Sequence, residues 1–73
     1  MKPEEWIEKF AQEIGARAPD DGTVHDLLEL AAVAAHSSER TAAPIACYLA
    51  GVTGAPISEL RTIADGIGGD SDA

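Results

Sequence analysis

The chain has 73 residues, of which 13 are Asp or Glu and only 5 are Lys or Arg, a formal net charge of −8. Such a balance excludes non-specific binding to a phosphate backbone. The longest purely apolar stretch, Leu30 to Ala35, is far short of the ~20 residues of a membrane span.

The other bounds are equally plain. Met1-Lys2-Pro3-Glu4-Glu5 contains no apolar signal core, and the single cysteine, Cys47, has no internal disulfide partner. These features predict a cytoplasmic acidic domain. Apolar residues make up 45% of the chain, but 14 residues are Ala and only Trp6, Phe10 and Tyr48 are aromatic. A chain of this size buries only about 60% of its unfolded surface, so a lone core is marginal and a partner surface or self-association is expected.

The first predicted helix covers residues 3–14. Pro3 suits a first turn, and Glu4, Glu5 and Glu8 favour a helix N-terminus. Trp6, Ile7, Phe10, Ala11 and Ile14 fall within an arc of about 140° at 100° per residue, which predicts one buried face. Gly15 ends the helix, and Ala18-Pro19-Asp20-Asp21-Gly22 reads as a turn.

The second helix is predicted over residues 24–37. Thr23 and Asp26 have the spacing of a capping box. Val24, Leu27, Leu28, Leu30, Ala31, Ala34 and Ala35 spread over about 160° of its circumference, with Val33 outside that arc. A helix this apolar should be central.

The third helix, residues 42–52, has Pro44 in its first turn and Ile45, Tyr48, Leu49 and Val52 within about 100° of arc. The fourth, residues 57–66, shows Ile57, Leu60, Ile63, Ala64 and Ile67 on one face. No alternating β-branched run suggests a strand. The prediction is therefore an all-α domain over residues 1–67, a small bundle of four short helices with helix 2 central, followed by a polar, disordered tail at residues 68–73. Trp6, Phe10, Leu27, Leu28, Ala31, Leu49, Leu60 and Ile63 are the expected core. Replacing Leu28 with Ala is expected to cost ~2–5 kcal/mol.

Chemistry is sparse. His25 and Glu29 are spaced i,i+4 and could share a divalent ion, but His36 lies ~10.5 Å of helix rise beyond Glu29, and two ligands make no site. Neither a metal nor a cofactor is expected. Cys47 has no base placed beside it by the sequence, so it reads as a structural residue and no catalytic group is assigned.

Two features stand above this background. His36, Arg40 and Thr41 precede the N-terminus of helix 3, where free N–H groups and a cation form a possible anion site. The competing reading is an ordinary helix connection capped by Thr41. Second, Ala43, Ala46, Cys47 and Ala50 form a small-residue face on helix 3, which, with the off-pattern Val33, is a possible interface. The alternative is that helix 2 fills that groove within the monomer.

Trp6-Ile7, Leu27-Leu28-Glu29-Leu30-Ala31, Val33-Ala34-Ala35-His36, Glu39-Arg40-Thr41-Ala42-Ala43-Pro44 and Tyr48-Leu49-Ala50-Gly51 together resemble a bacterial family of small helical domains of unknown function. The similarity covers roughly residues 4–67, and Thr41 stands where relatives carry Pro. Its members resemble either short stand-alone proteins or a C-terminal extension of molybdopterin-guanine dinucleotide guanylyltransferase-like proteins. The resemblance implies a non-catalytic accessory or interaction domain, associated with molybdenum-cofactor biosynthesis, whose partner is protein: another copy or a nucleotidyltransferase-like enzyme. A small-ligand or anion-binding domain at the junction of helices 2 and 3 is the alternative. No nucleic acid or membrane is expected as a partner.

Overall fold

In the computed structural model, which describes residues 1–69, the chain forms α1 (Pro3–Ile14), α2 (Asp21–Ser37), α3 (Ala42–Thr53) and α4 (Ile57–Gly69), with no strand among the described residues. The predicted fold class holds. Of the tail expected at residues 68–73, Gly68 and Gly69 instead continue α4, and the remainder lies outside the described residues.

Local chemistry explains the boundaries. The Glu5 carboxylate accepts the Lys2 backbone N–H at 3.0 Å, and Pro3 occupies the first turn of α1, where a missing N–H costs nothing. Gly15 closes α1 in the left-handed region at φ 75°, and the Ala16 N–H returns to the Ala11 carbonyl at 2.8 Å. Gly54 does the same for α3 at φ 71°.

The start of α2 differs from the prediction. The helix begins three residues earlier than residue 24, and its cap is Asp20, whose Oδ1 accepts the Thr23 N–H at 2.8 Å. Thr23 is therefore a donor inside the first turn, and the Thr23–Asp26 box does not form. An aspartate directly after Pro19 satisfies the same orphan N–H groups one turn sooner. The hydrogen bond from the Thr23 backbone favours the charged carboxylate and holds Asp20 below its ordinary pKa.

Helix α2 is central, as expected: it packs against both α3 and α4. Between α2 and α3 the contact is made by small groups. Ala50 is buried, and the Cys47 Sγ lies 3.9 Å from the Leu27 carbonyl. Between α2 and α4, the Arg61 Nη1 donates to Glu29 Oε1 at 2.7 Å. Helix α1 makes at most a glancing contact with any other helix. The molecule is accordingly long, 45 × 25 × 18 Å, with a radius of gyration of 13.3 Å against about 11 Å for a compact chain of this length.

The core differs most from expectation. The buried apolar residues are Ala11, Leu30 and Ala50. Leu27, Ala31 and Leu60 are partly buried. Trp6, Phe10, Leu28, Leu49 and Ile63, expected inside, are all half exposed or more, Leu28 at 65%. Two causes act. Helix α1 stands off the rest, so its apolar face meets little. Helix α3 turns its alanines toward α2, because small side chains let the two axes approach, and this leaves Ile45, Tyr48, Leu49 and Val52 facing outward.

Candidate interaction surface

The His25 pair gains a third member. His25, Asp26 and Glu29 offer ligand atoms within 4.8 Å of one another. His25 Nε2 lies 3.5 Å from Glu29 Oε2 and its Nδ1 3.6 Å from Asp26 Oδ1. The other Glu29 oxygen is committed to Arg61, and the His25 side chain is exposed. The arrangement is that of a solvated ion-pair network tying α2 to α4, and Asp65, 3.4 Å from Arg61 Nε, extends it. Asp26 and Arg61 were invisible to spacing arguments, since one adjoins His25 directly and the other lies on a different helix.

His36, Arg40 and Thr41 are all exposed. The backbone donors that an anion would need are already in use. The Ala42 N–H donates to the Glu39 carbonyl at 2.9 Å and the Ala43 N–H to the Arg40 carbonyl at 3.2 Å, while Pro44 has none. Thr41 has helical dihedrals and makes no side-chain cap. An extra turn wound onto the front of α3 thus consumes the N–H groups.

The proposed interface residues divide. Ala43 and Cys47 are half-buried and Ala50 is fully buried, while Val33 and Ala46 line an open groove of about 590 Å³. This groove runs between α2, α3 and α4. Leu30 and Ala34 lie along it from α2, Ile45 and Leu49 from α3, Ala64 and Ile67 from α4. Ser37, Ser38 and Thr41 are its polar members, and no charged side chain lines it. Of the large residues here, the sequence reading places Leu49 in the core and Ile45 and Ile67 on the apolar faces of their helices. The signal that could have placed them here is the run of alanines on the opposite side of α3.

A second apolar feature lies on α1. Trp6 and Phe10, one turn apart, stack with ring centroids 5.1 Å apart and planes inclined by 22°. Both rings are half exposed, and Ile14 continues the row at 60% exposure. Ile7, on the same apolar face, borders a smaller cleft of about 420 Å³ shared with Val24 and Leu28.

These surfaces are large for so small a protein. The accessible area is 5734 Å², whereas a compact monomer of 7.5 kDa exposes about 4,200 Å². The excess is over about 1,000 Å², and large apolar side chains that a lone domain normally hides are among those exposed. No helix among the described residues is long and apolar enough to cross a membrane. Residues 2–66 match a family described as a domain of unknown function (DUF6457), and the chain belongs to that family. No curated protein and no solved structure matches it.

Proposed function

We propose that this member of the family is a non-catalytic interaction domain that works by covering its apolar groove and the Trp6–Phe10 row with another protein surface. The observation that carries the reading is the bare apolar area. Among the described residues, twelve large apolar side chains are more than one-third exposed, and the buried apolar interior is two alanines and one leucine. Burial against a partner stabilises such a domain by mass action. The chain's net charge of −8 favours a partner whose rim is basic, because complementary fields speed encounter and deter wrong partners.

An accessory role beside a nucleotidyltransferase-like enzyme of molybdenum-cofactor biosynthesis is supported by the sequence resemblance. The test is direct titration of the domain against such an enzyme, and against itself, by calorimetry. Binding to either that is lost in Ile45→Glu, with helicity unchanged, supports the reading. Wild-type protein that binds neither, and whose groove takes up no apolar dye, refutes it.

A further inference from the structure

We infer that the partner is a second copy of this chain, with the Trp6–Phe10–Ile14 row of each α1 lying in the groove of the other. This rests on the interaction reading above and names its partner. Three observations support it.

The two surfaces match in kind. The groove is apolar and uncharged, and α1 presents large apolar side chains at positions i, i+4 and i+8, the pattern by which an amphipathic helix enters a groove. They also match in length. From Trp6 to Ile14 is about 12 Å of helix rise, and the α2 wall of the groove, from Leu30 to Ser38, is about the same.

Charge does not select a second copy: α1 carries Lys9 against Glu4, Glu5, Glu8 and Glu13, and each chain carries −8, so the pairing rests on the apolar surfaces.

Finally, the area and symmetry close. A stable association of standard size buries about 800 Å² per partner, and obligate pairs bury more. The excess exposure of this chain, over about 1,000 Å², falls in that range. Because each copy carries both a row and a groove, a twofold pair covers two rows and two grooves at once and leaves no open end. A partner bearing only one complementary surface would leave the other bare.

The experiment combines light scattering with emission from Trp6, the only tryptophan. Wild-type protein is expected to run at twice 7.5 kDa, with Trp6 emission moving to shorter wavelength as concentration rises. Phe10→Glu, on the row, and Ile45→Glu, in the groove, are each expected to return the mass to 7.5 kDa with unchanged helicity. Mixed in equal amounts, they should give a heavier species than either alone, because one retains an intact groove and the other an intact row. If Phe10→Glu loses helicity, Phe10→Ser serves as the same test.

Three results overturn the proposal. The first is a wild-type mass that stays at 7.5 kDa up to millimolar concentration. The second is a dimer that Phe10→Glu leaves intact, which would place the contact on α3 and α4 alone. The third is a monomer whose Trp6 emission is already that of a buried ring, which would put α1 in its own groove. A monomer that nevertheless binds a different protein through Ile45 leaves the interaction reading standing and removes only the second copy.

Discussion

Leu30 and Leu28 are two residues apart on α2, and the fold assigns them opposite weights. Leu30 is 4% exposed, whereas Leu28 is 65% exposed and borders the smaller cleft beside α1. Truncating a leucine to alanine removes three carbons, worth about 2.4 kcal/mol at ~0.8 each if fully buried. For Leu30 nearly all of this is lost and a small cavity term adds to it, giving about 3 kcal/mol. For Leu28 only about one-third of the area is hidden, giving about 0.8 kcal/mol. At ~4–8 °C per kcal/mol for a domain of this size, Leu30→Ala should lower Tm by roughly 12–24 °C and Leu28→Ala by roughly 3–6 °C. A 73-residue domain has about 4–11 kcal/mol of stability in total, so Leu30→Ala brings it near unfolding. Thermal and urea melts followed by far-ultraviolet circular dichroism, at low protein concentration, measure both. If Leu28→Ala costs as much as Leu30→Ala, Leu28 is buried by α1 and the description of α1 as standing off is wrong.

Four further expectations are smaller, and the same melts read each of them. Asp20→Ala should fray the start of α2 and lower Tm. The folded pKa of Asp20 lies below its unfolded value, so its contribution is present above the ordinary carboxylate pKa of about 3.9 and is lost as pH falls through the folded value. An acid titration of stability should therefore show a component that Asp20→Ala lacks. Glu29→Gln loosens the 2.7 Å tie to Arg61, but both side chains are more than one-third exposed, so the cost should stay under ~1 kcal/mol and fade at 1 M salt. Gly54→Ala should cost about 1–2 kcal/mol because its φ is 71°. Gly51→Ala, inside α3 with open space around the new methyl, should stabilise by about 0.5–1 kcal/mol.

What could be read from the sequence was whatever local chemistry decides. Pro3 with Glu5, the left-handed Gly15 and Gly54, and Pro56 before α4 mark helix ends within a few residues of themselves, and those ends fall where expected. The start of α2 was misjudged because Asp20 and Thr23 both suit a cap, and only the completed turn shows which one accepts. The direction of each helix face is a different matter. Periodicity says that Ile45, Tyr48, Leu49 and Val52 share a face, and it also says that Ala43, Cys47 and Ala50 share the opposite one. It does not say which of the two meets α2. Close approach of helix axes favoured the small face, and that reversal moved the larger side chains from core to surface. The candidate site is obscured for the same reason: Val33 and Ala46 stand out in the sequence, but the groove they line includes Leu49, which periodicity places inside.

That reversal ties the stability of the fold to the occupation of its surface. With Ala11, Leu30 and Ala50 as its buried apolar residues, the isolated chain retains little of the apolar burial its sequence makes available. Half of the exposed large apolar side chains lie on the α1 row and along the groove, and their burial becomes effective only when another surface covers them. Stability should therefore depend on protein concentration, as it does for any domain whose association buries native surface. Above the dissociation constant, a hundredfold rise in concentration is worth ~2.7 kcal/mol of association, shared by two chains, or about 1.4 kcal/mol per chain. At ~4–8 °C per kcal/mol, Tm should climb by roughly 6–11 °C across that range. Phe10→Glu should flatten this dependence while leaving the low-concentration Tm near that of the wild type, because Phe10 is already half exposed in the single chain. Leu30→Ala should do the reverse, lowering Tm at every concentration. Scanning calorimetry over two decades of concentration on the three proteins separates the two effects. A wild-type Tm that does not move with concentration would show that the exposed row and groove remain uncovered by a second chain.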